Sequence, residues 1–312
     1  MNTNGSSVSE FIILGLSTQP EHETFIFITF LIIYIIDLIG NLIILILVNI
    51  DPGLKTPMYF FLGFLSFLDI CCSSATLPKM LTGYITKNKT ISFYGCVAQL
   101  YFFTWLTSTE LLLLAVMAYD RYIAIAHPLR YAVIISQRVC ICVITVISII
   151  GSVNSIAHTC LTFRLPYCDD NKINHFFCEI MPLMKLACAD TYWNEIATVI
   201  SDVILGMFCF LLTCTSYVFI INTIIKIRSA EGKRKAFSTC ASHITIVSMY
   251  YGAVIFTYVR PRSSLSLETD KIVSALYAVF TPTLNPIIYS LRNKEVKVAF
   301  KRIVRIIALK LV

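Results

Sequence analysis

The sequence predicts an all-α membrane protein, a bundle of seven transmembrane helices with its N-terminus outside and a short amphipathic eighth helix after the bundle. Of the 312 residues, 57% are hydrophobic and only 14% are charged, whereas an ordinary soluble domain is roughly 25% charged. Seven apolar segments are each long enough to cross a bilayer, and Lys and Arg are unevenly divided between the connections that join them. These observations favour a bilayer over water as the surroundings of the fold.

The seven apolar segments follow one another along the chain. About 20 apolar residues cross the hydrocarbon core as a helix, and the predicted spans are roughly 25–50, 57–80, 97–123, 139–161, 196–225, 236–260 and 271–291. We therefore expect an extracellular N-terminus at 1–24, a seven-helix domain at 25–291 and a cytoplasmic tail at 292–312. Seven helices do not divide into two equal halves, which argues against a transporter built from repeats.

The orientation follows from the basic residues in the connections. With the N-terminus outside, the inner segments carry sixteen Lys and Arg and the outer segments nine, as the positive-inside rule requires. Asn4-Gly5-Ser6 and Asn88-Lys89-Thr90 match the glycosylation acceptor pattern, and both lie on the outer side. Asn4 is the stronger site, because Asn88 lies close to the membrane. The net charge of +7 thus has a membrane explanation, and nucleic acid is not the expected partner.

Four of the twelve cysteines lie on the outer side of the predicted bundle, and eight lie within its spans. The outer side matures in an oxidising compartment where disulfides persist, but four cysteines permit three pairings and spacing does not choose between them. The segment from His175 to Glu179 also resembles a metal-ligand cluster. A cysteine in a disulfide is not a thiolate ligand, so we expect no metal site there. The four outer cysteines are Cys96, Cys168, Cys178 and Cys188.

Four motifs, in order on four helices, carry a resemblance to a known family. PMYFFL at 57–62 opens the second helix, MAYDRY at 117–122 closes the third, KAFSTCASH at 235–243 opens the sixth and PTLNPIIY at 282–289 lies in the seventh. Together they resemble the odorant receptors, a branch of the rhodopsin-like G-protein-coupled receptors, over essentially the whole chain. The short outer segment at 260–270 is similar to the larger, tetrapod-type class of that family.

The resemblance implies a function. It implies an odorant receptor of the plasma membrane that binds a small volatile ligand within the bundle and activates a stimulatory, olfactory-type heterotrimeric G protein, raising cyclic AMP. It implies no enzyme, and the sequence contains no Gly-rich phosphate loop, zinc-binding His pair or nucleophile elbow. The alternatives are a chemoreceptor of the same family outside olfaction, and a channel or transporter, for which the intramembrane acids are too few.

The resemblance also implies roles for particular residues. It pairs Cys96 with Cys178 and Cys168 with Cys188. In an off state Arg121 could pair with its neighbour Asp120, while a proline in mid-helix removes a backbone hydrogen bond and permits a bend. The residues expected in the G-protein switch are Asp120, Arg121, Tyr122, Asn285, Pro286 and Tyr289.

Ionisable residues inside a membrane usually face the bundle interior and serve function. Asp69 and Glu110 are such residues, and with Asn41 and Asn285 they could hold a hydrated Na⁺, as the resemblance implies. The alternative is a protonated, hydrogen-bonded pair without an ion. Asp37 lies one helical turn before Asn41, so it shares the face of Asn41, and we expect it to contact the second or seventh helix.

The ligand site is expected to be apolar with a few polar groups that orient a small ligand. Helical spacing on the third helix and the resemblance together predict the lining, although each member could equally be ordinary helix packing. The predicted lining is Leu100, Thr104, Thr107, Ser108, Val203, Met207, Val254, Ile255, Tyr258, Ala275 and Ala278.

The tail and the inner connection at 226–235 are basic. Basic and apolar residues alternate over 294–307, which predicts an amphipathic helix on the inner membrane surface. The basic residues could contact a G protein or be attracted to anionic lipid, and the two interpretations are compatible. The chain departs from the family pattern at Ala126, in lacking a Trp near 149–150 and in lacking a Pro in the fifth helix.

Overall fold

The computed structural model describes residues 8–17, 19–168, 171–259 and 267–310, and most of them are helical. The long helices are α1 (Pro20–Ile50), α2 (Pro57–Thr86), α3 (Phe93–Ala126), α5 (Gln137–Phe163), α7 (Tyr192–Lys226) and α8 (Ala230–Val259). Two short helices lie between them, α4 (Tyr131–Ile134) and α6 (Ile180–Met184). The last stretch runs from α9 (Leu267–Ala275) through a π-helical turn (Leu276–Phe280) into α10 (Thr281–Arg292), and α11 (Lys294–Lys310) follows.

Helices lie at all seven predicted spans, and most extend a few residues beyond them. Within the described residues, six helical segments are long and apolar enough to cross a membrane, namely α1, α2, α3, α5, α7 and the segment Lys271–Tyr289. The helix α8 covers nearly all of the predicted span 236–260 and is 30 residues long. The side chains of residues 253–260 lie outside the described part.

Local signals in the sequence explain where several helices begin. Pro57 occupies the first position of α2, where a missing backbone N–H costs nothing. The Ser92 hydroxyl accepts a hydrogen bond from the Gly95 N–H at 3.1 Å and caps α3, and Ser136 caps α5 in the same way. Side-chain caps of this kind satisfy N–H groups that the first turn of a helix leaves unpaired.

The helix α3 is the centre of the bundle. It packs against α2, α5 and α7, and 61% of its most apolar stretch is buried, as in α2 and Lys271–Tyr289, compared with 22% for α1, α5 and α7. The outer helices therefore expose rows of large apolar side chains, as expected for surfaces that face lipid. A functional site inside the bundle has α3 as its wall or floor.

Three short strands form a cap over the outer end, which the sequence did not predict. Strand β1 (Glu10–Ile13) lies between β2 (Thr90–Ser92), to which it is antiparallel, and β3 (Lys172–Ile173), to which it is parallel. Both disulfides implied by the family are present, Cys96–Cys178 and Cys168–Cys188. The first anchors the long outer loop to the start of α3, and the second closes a ring within that loop.

The tail begins with a helix at the predicted place. The Tyr59 hydroxyl of α2 donates a hydrogen bond to Glu295 at 2.6 Å, and the Arg302 guanidinium pairs with the buried Asp51 carboxylate at 3.1 Å. These contacts hold α11 against the inner ends of α1 and α2. That α11 lies on a membrane surface stays a prediction.

Candidate functional site

The inner end of α3 holds Asp120 and Arg121, both almost completely buried. Asp120 accepts a hydrogen bond from the Tyr131 hydroxyl at 2.7 Å, and Arg121 donates to the Met58 sulfur at 2.8 Å. Among the described side chains these two neighbours do not form an ion pair, so the predicted Asp120–Arg121 pairing is absent. Consecutive residues on a helix point in different directions, and each therefore finds its own partner.

The Tyr131 hydroxyl acts as a donor because it stays protonated. Burial and the neighbouring Asp120 carboxylate both raise the pKa of Tyr131 well above its ordinary value. Tyr131 lies on the short helix α4 in the connection after α3. The hydrogen bond therefore ties this inner connection to the end of α3, while Tyr122 packs its ring against Phe219 of α7.

The switch residues Asn285 and Pro286 of the seventh helix lie against α2 and α1. The Asn285 amide donates to both carboxylate oxygens of Asp69, at 3.1 and 3.0 Å. A Cβ atom placed on Gly40 would lie 2.9 Å from the Pro286 ring, so Gly40 allows α1 to approach the seventh helix at Pro286. Tyr289 is 1% exposed, so it is buried at the inner end of the seventh helix.

Three buried carboxyl groups lie in the middle of the bundle. Asp37, Asp69 and Glu110 are each at most 2% exposed. Asp37 accepts hydrogen bonds from Ser73 at 2.5 Å and from Asn41 at 2.8 Å, which confirms the prediction that it faces α2 inside the bundle. Several acceptors in this cluster have no partner among the described atoms, and they are Glu110 Oε1, Asn41 Oδ1 and Asn285 Oδ1.

A histidine from the motif at 235–243 joins three helices below this cluster. The His243 ring is fully buried, its Nδ1 lies 2.7 Å from the Tyr217 hydroxyl of α7, and its Nε2 lies 3.1 Å from the Leu114 carbonyl oxygen of α3. The sequence reasoning quoted this residue only as part of a motif. The structure makes it the link between α3, α7 and α8.

The predicted ligand residues of α3 and of the seventh helix face the interior. Thr104 and Ser108 are largely buried, as are Ala275 and Ala278, and their contact with a ligand stays a prediction. The Thr107 hydroxyl instead donates to the carbonyl oxygen of Phe103 on its own helix. Leu100 is fully buried in a cluster with Phe11 and Cys178 under the outer cap.

The two ligand residues predicted on α7 were wrong, because they lie on the face of the helix that points away from the bundle interior. Val203 is 43% exposed and Met207 is 49% exposed, so both lie on the outer, lipid-facing side of α7. Steps of three, four and seven residues share a helix face, and the buried face of α7 contains Thr198, Cys209 and Thr213. The prediction relied on apolar character, which does not distinguish the two faces of a membrane helix.

Four predicted positions lie outside the described side chains. The side chains of Val254, Ile255 and Tyr258 on α8 lie outside the described part of the chain, and so does Asn4.

The structure adds a polar set in the outer half that sequence reasoning missed. The His158 Nε2 of α5 lies 3.2 Å from a carboxylate oxygen of Asp202 on α7. One turn further in, Asn154 donates to Ser108 at 3.1 Å and accepts from Ser201 at 2.9 Å. His158 and Asp202 are ionisable residues inside predicted spans. The rule that such residues usually face the bundle interior and serve function, which was applied to Asp69, therefore also applied to them.

A second polar group lies under the outer loop. Glu179 accepts hydrogen bonds from Ser274 and Tyr277 of the seventh helix and pairs with His175 at 3.0 Å. The Phe103 ring contacts the Tyr277 ring at 6.2 Å between centroids. Glu179 thus ties the outer loop to the seventh helix. In the described part of the chain, no three His, Cys, Asp or Glu side chains are arranged to hold a metal ion.

A groove of about 760 Å³ lies on the side of the bundle between α2, α3 and α5. Its walls include Phe67 and Phe102, which are exposed on the outer surface. None of the predicted ligand residues whose side chains are described lines it. We therefore assign this groove to the lipid-facing surface.

Comparison with known proteins agrees with these features. A family model described as "Olfactory receptor" matches residues 30–308. The chain is 49% identical to "Olfactory receptor-like protein OLF1" of Canis lupus familiaris, with 98% of each chain covered. It is 49% identical to "Olfactory receptor 5I1" of Homo sapiens, with 97% of this chain and 96% of the relative covered. For "Olfactory receptor 13G1" of Homo sapiens the identity is 47%, over 96% of this chain and 98% of the relative.

These matches confirm the resemblance that the four motifs carry, and they establish a multi-pass membrane receptor rather than an enzyme. The family is built as a bundle of seven transmembrane helices, which makes α8 the sixth of them. With its helical bundle, its switch motifs and relatives of nearly equal length, this chain belongs to the olfactory receptor family of G-protein-coupled receptors.

Proposed function

We propose that this receptor binds a small volatile odorant between the outer halves of its helices and activates a stimulatory, olfactory-type heterotrimeric G protein, raising cyclic AMP. It does so in the plasma membrane, with its N-terminus outside and Asn4 glycosylated. The observation that carries this proposal is the set of contacts at the inner end of the bundle. Arg121 is 4% exposed, and Asp120, Tyr131 and Met58 hold that end closed.

The closed inner end corresponds to an off state. A partner protein gains access to Arg121 only when the contacts with Met58 and between Asp120 and Tyr131 are released. A ligand that binds an open arrangement better than the closed one shifts the population toward it by its difference in affinity. The basic residues of α11 and of the inner segment 226–235 then meet the acidic membrane surface and the G protein.

The test removes Arg121. Arg121→Ala should reach the cell surface and still bind odorant, while odorant-evoked cyclic AMP falls to the basal level. Arg130→Ala is the matched control, because Arg130 lies exposed in the connection after α3 and should signal normally. Unchanged cyclic AMP at equal surface expression of Arg121→Ala would refute the switch role.

We also propose that Na⁺ occupies the cluster around Asp69 and Glu110. The donor set fits, because Na⁺ prefers oxygen ligands, and the buried Glu110 Oε1 and Asn285 Oδ1 have no partner among the described atoms. Uncompensated buried carboxylates are costly, and a cation offsets that cost. Replacing NaCl by choline chloride should change odorant potency in the wild type and not in Asp69→Asn. Equal sodium dependence in both would favour a protonated pair.

A further inference from the structure

The groove between α2, α3 and α5 runs parallel to the helices. Its lining residues recur at steps of three and four along α2 from Phe64 to Lys79 and along α3 from Gly95 to Thr109, so each helix contributes one face as a wall. At about 1.5 Å per residue each wall is about 21–23 Å long, whereas the hydrocarbon of one leaflet is about 15 Å thick. The groove is therefore long enough to follow an acyl chain through the outer leaflet.

The polar side chains in the walls already have partners within the protein. The Gln99 amide donates to the Ala75 carbonyl oxygen at 2.8 Å and accepts from the Cys178 N–H at 2.9 Å. The indole N–H of Trp105 donates to the Ser148 carbonyl oxygen at 2.9 Å. These groups need no hydrogen bond from a ligand, so this part of the groove suits an apolar occupant.

The rest of the walls is apolar and faces the bilayer. Phe67 and Phe102 are each about half exposed there, and the small side chain of Ala98 lies one helical turn outward of Phe102. Wall atoms without neighbours forfeit dispersion contacts, so hydrocarbon is expected to fill a groove of about 760 Å³ that opens toward lipid.

One cation lies at the outer end of this groove. Among the described lining residues Lys79 alone is charged, and it lies two turns before the end of α2. Glu23, the acid at the outer end of α1, pairs instead with Lys87 and Lys89 at 2.8 and 2.7 Å. A long basic side chain near a helix end turns its charge toward the membrane interface. The Lys79 ammonium group thus meets the head-group layer without a counter-charge from Glu23.

The charge of Lys79 selects the head group of the lipid. A phosphate accepts charge-assisted hydrogen bonds from an ammonium group, whereas the hydroxyl of a sterol or of a diacylglycerol is neutral and leaves the charge uncompensated. Anionic lipids belong to the cytoplasmic leaflet. The phosphate available at the outer end is therefore that of a zwitterionic phospholipid such as phosphatidylcholine.

We propose that this groove binds one phospholipid of the outer leaflet, with its phosphate on Lys79 and one acyl chain lying between α2 and α3 toward Thr109. The site is separate from the odorant site and does not depend on the proposed signalling. Because Gln99 joins the wall of the groove to Cys178 in the outer loop, the bound lipid supports the packing beneath that loop.

The first test measures lipid binding to the purified receptor by native mass spectrometry. Dioleoyl phosphatidylcholine is compared with dioleoylglycerol, which has the same chains without the phosphate. The first phosphatidylcholine should bind about fivefold more tightly, the contribution expected of one basic residue at a head group. Phosphatidylcholine has no net charge, so the basic inner surface gives it little advantage. Equal affinity for the two lipids, or tighter binding of cholesterol, overturns the proposal.

Variants of Lys79 then test the head-group contact. Lys79→Gln should weaken phosphatidylcholine binding about fivefold and leave dioleoylglycerol binding unchanged, and Lys79→Arg should keep the preference for phosphate. Lys87→Gln is the matched control, because Lys87 is a basic residue of the same outer region that does not line the groove. Phosphatidylcholine binding that survives Lys79→Gln unchanged places the phosphate elsewhere and overturns the assignment.

Photo-crosslinking locates the acyl chain. A phosphatidylcholine with a diazirine in its chain should label peptides of α2 and α3 between Phe64 and Thr109. Ala98→Trp should fill the groove and reduce this labelling, whereas Cys160→Trp should not, because Cys160 is an exposed small residue of α5 outside the groove. If Ala98→Trp does not fold, the wild-type label positions decide alone. Labels spread equally over all lipid-facing helices indicate ordinary surrounding lipid and overturn the proposal.

Discussion

The helices α3 and α5 pack closely at Gly151. A Cβ atom added at Gly151 would lie 2.5 Å from the Thr109 hydroxyl oxygen and 3.1 Å from the Trp105 carbonyl oxygen, whereas even favourable C–H···O contacts lie at about 3.3–3.6 Å. The hydroxyl is not free to rotate away, because it donates to that same carbonyl at 2.7 Å. Small residues at such crossings are how membrane helices pack closely.

The expected cost of Gly151→Ala follows from this geometry. Overpacking a tight interior costs about 1–3 kcal/mol, while replacing a helical glycine by alanine gains about 1 kcal/mol of helix propensity. Gly206 of α7 is a matched control, because no atom lies within 4 Å of its added Cβ. The propensity gain is common to both, so Gly151→Ala should be less stable than Gly206→Ala by about 1–3 kcal/mol.

The assay compares thermal unfolding of the two purified variants in the same detergent, with surface expression as a second measure. Gly206→Ala should melt at or above the wild-type temperature, and Gly151→Ala should melt below Gly206→Ala. If Gly151→Ala melts as high as Gly206→Ala, the helices α3 and α5 are not in close contact at this crossing, and the central packing described above is incorrect.

Two further predictions concern buried polar and covalent links. Asp37→Leu removes the carboxylate that accepts from Ser73 at 2.5 Å and from Asn41 at 2.8 Å, and it should lower the free energy of unfolding by about 1–3 kcal/mol. Asp37→Asn keeps an acceptor and should change that free energy less, and equal melting of both variants would contradict an inward Asp37. Mass spectrometry of non-reduced peptides should find Cys168 linked to Cys188, and a peptide that joins either cysteine to Cys178 would show that the outer loop is connected differently.

Much of the fold could be predicted because its signals are local. A run of apolar residues seeks the bilayer whatever its neighbours are, and Pro57, Ser92 and Ser136 mark helix starts through contacts within one turn. Asp37 could be placed as well, because a lipid-facing acid is too costly and the spacing to Asn41 fixed its face. The disulfide pairs came from the family resemblance, since spacing left three pairings open.

Only the tertiary structure decided which face of α7 points into the bundle. In water, the exposed face of a helix is polar and its period of 3.6 residues reveals the inward side. In a bilayer, lipid-facing and core-facing residues are both apolar, so Val203 and Met207 looked as suitable as the residues that face inward. The polar residue Asp202, one position from Val203, was the better guide to that face.

The partners of polar groups were likewise beyond the sequence. The sequence by itself determined the order of the helices, the switch motifs and the family, because each depends on residues that are close together in the chain. Whether Arg121 meets Asp120 or Met58, and whether His158 meets Asp202, depends on how helices that are far apart in the chain are rotated and shifted against each other. Those rotations arise from the packing of the whole bundle, so only the tertiary structure decided them.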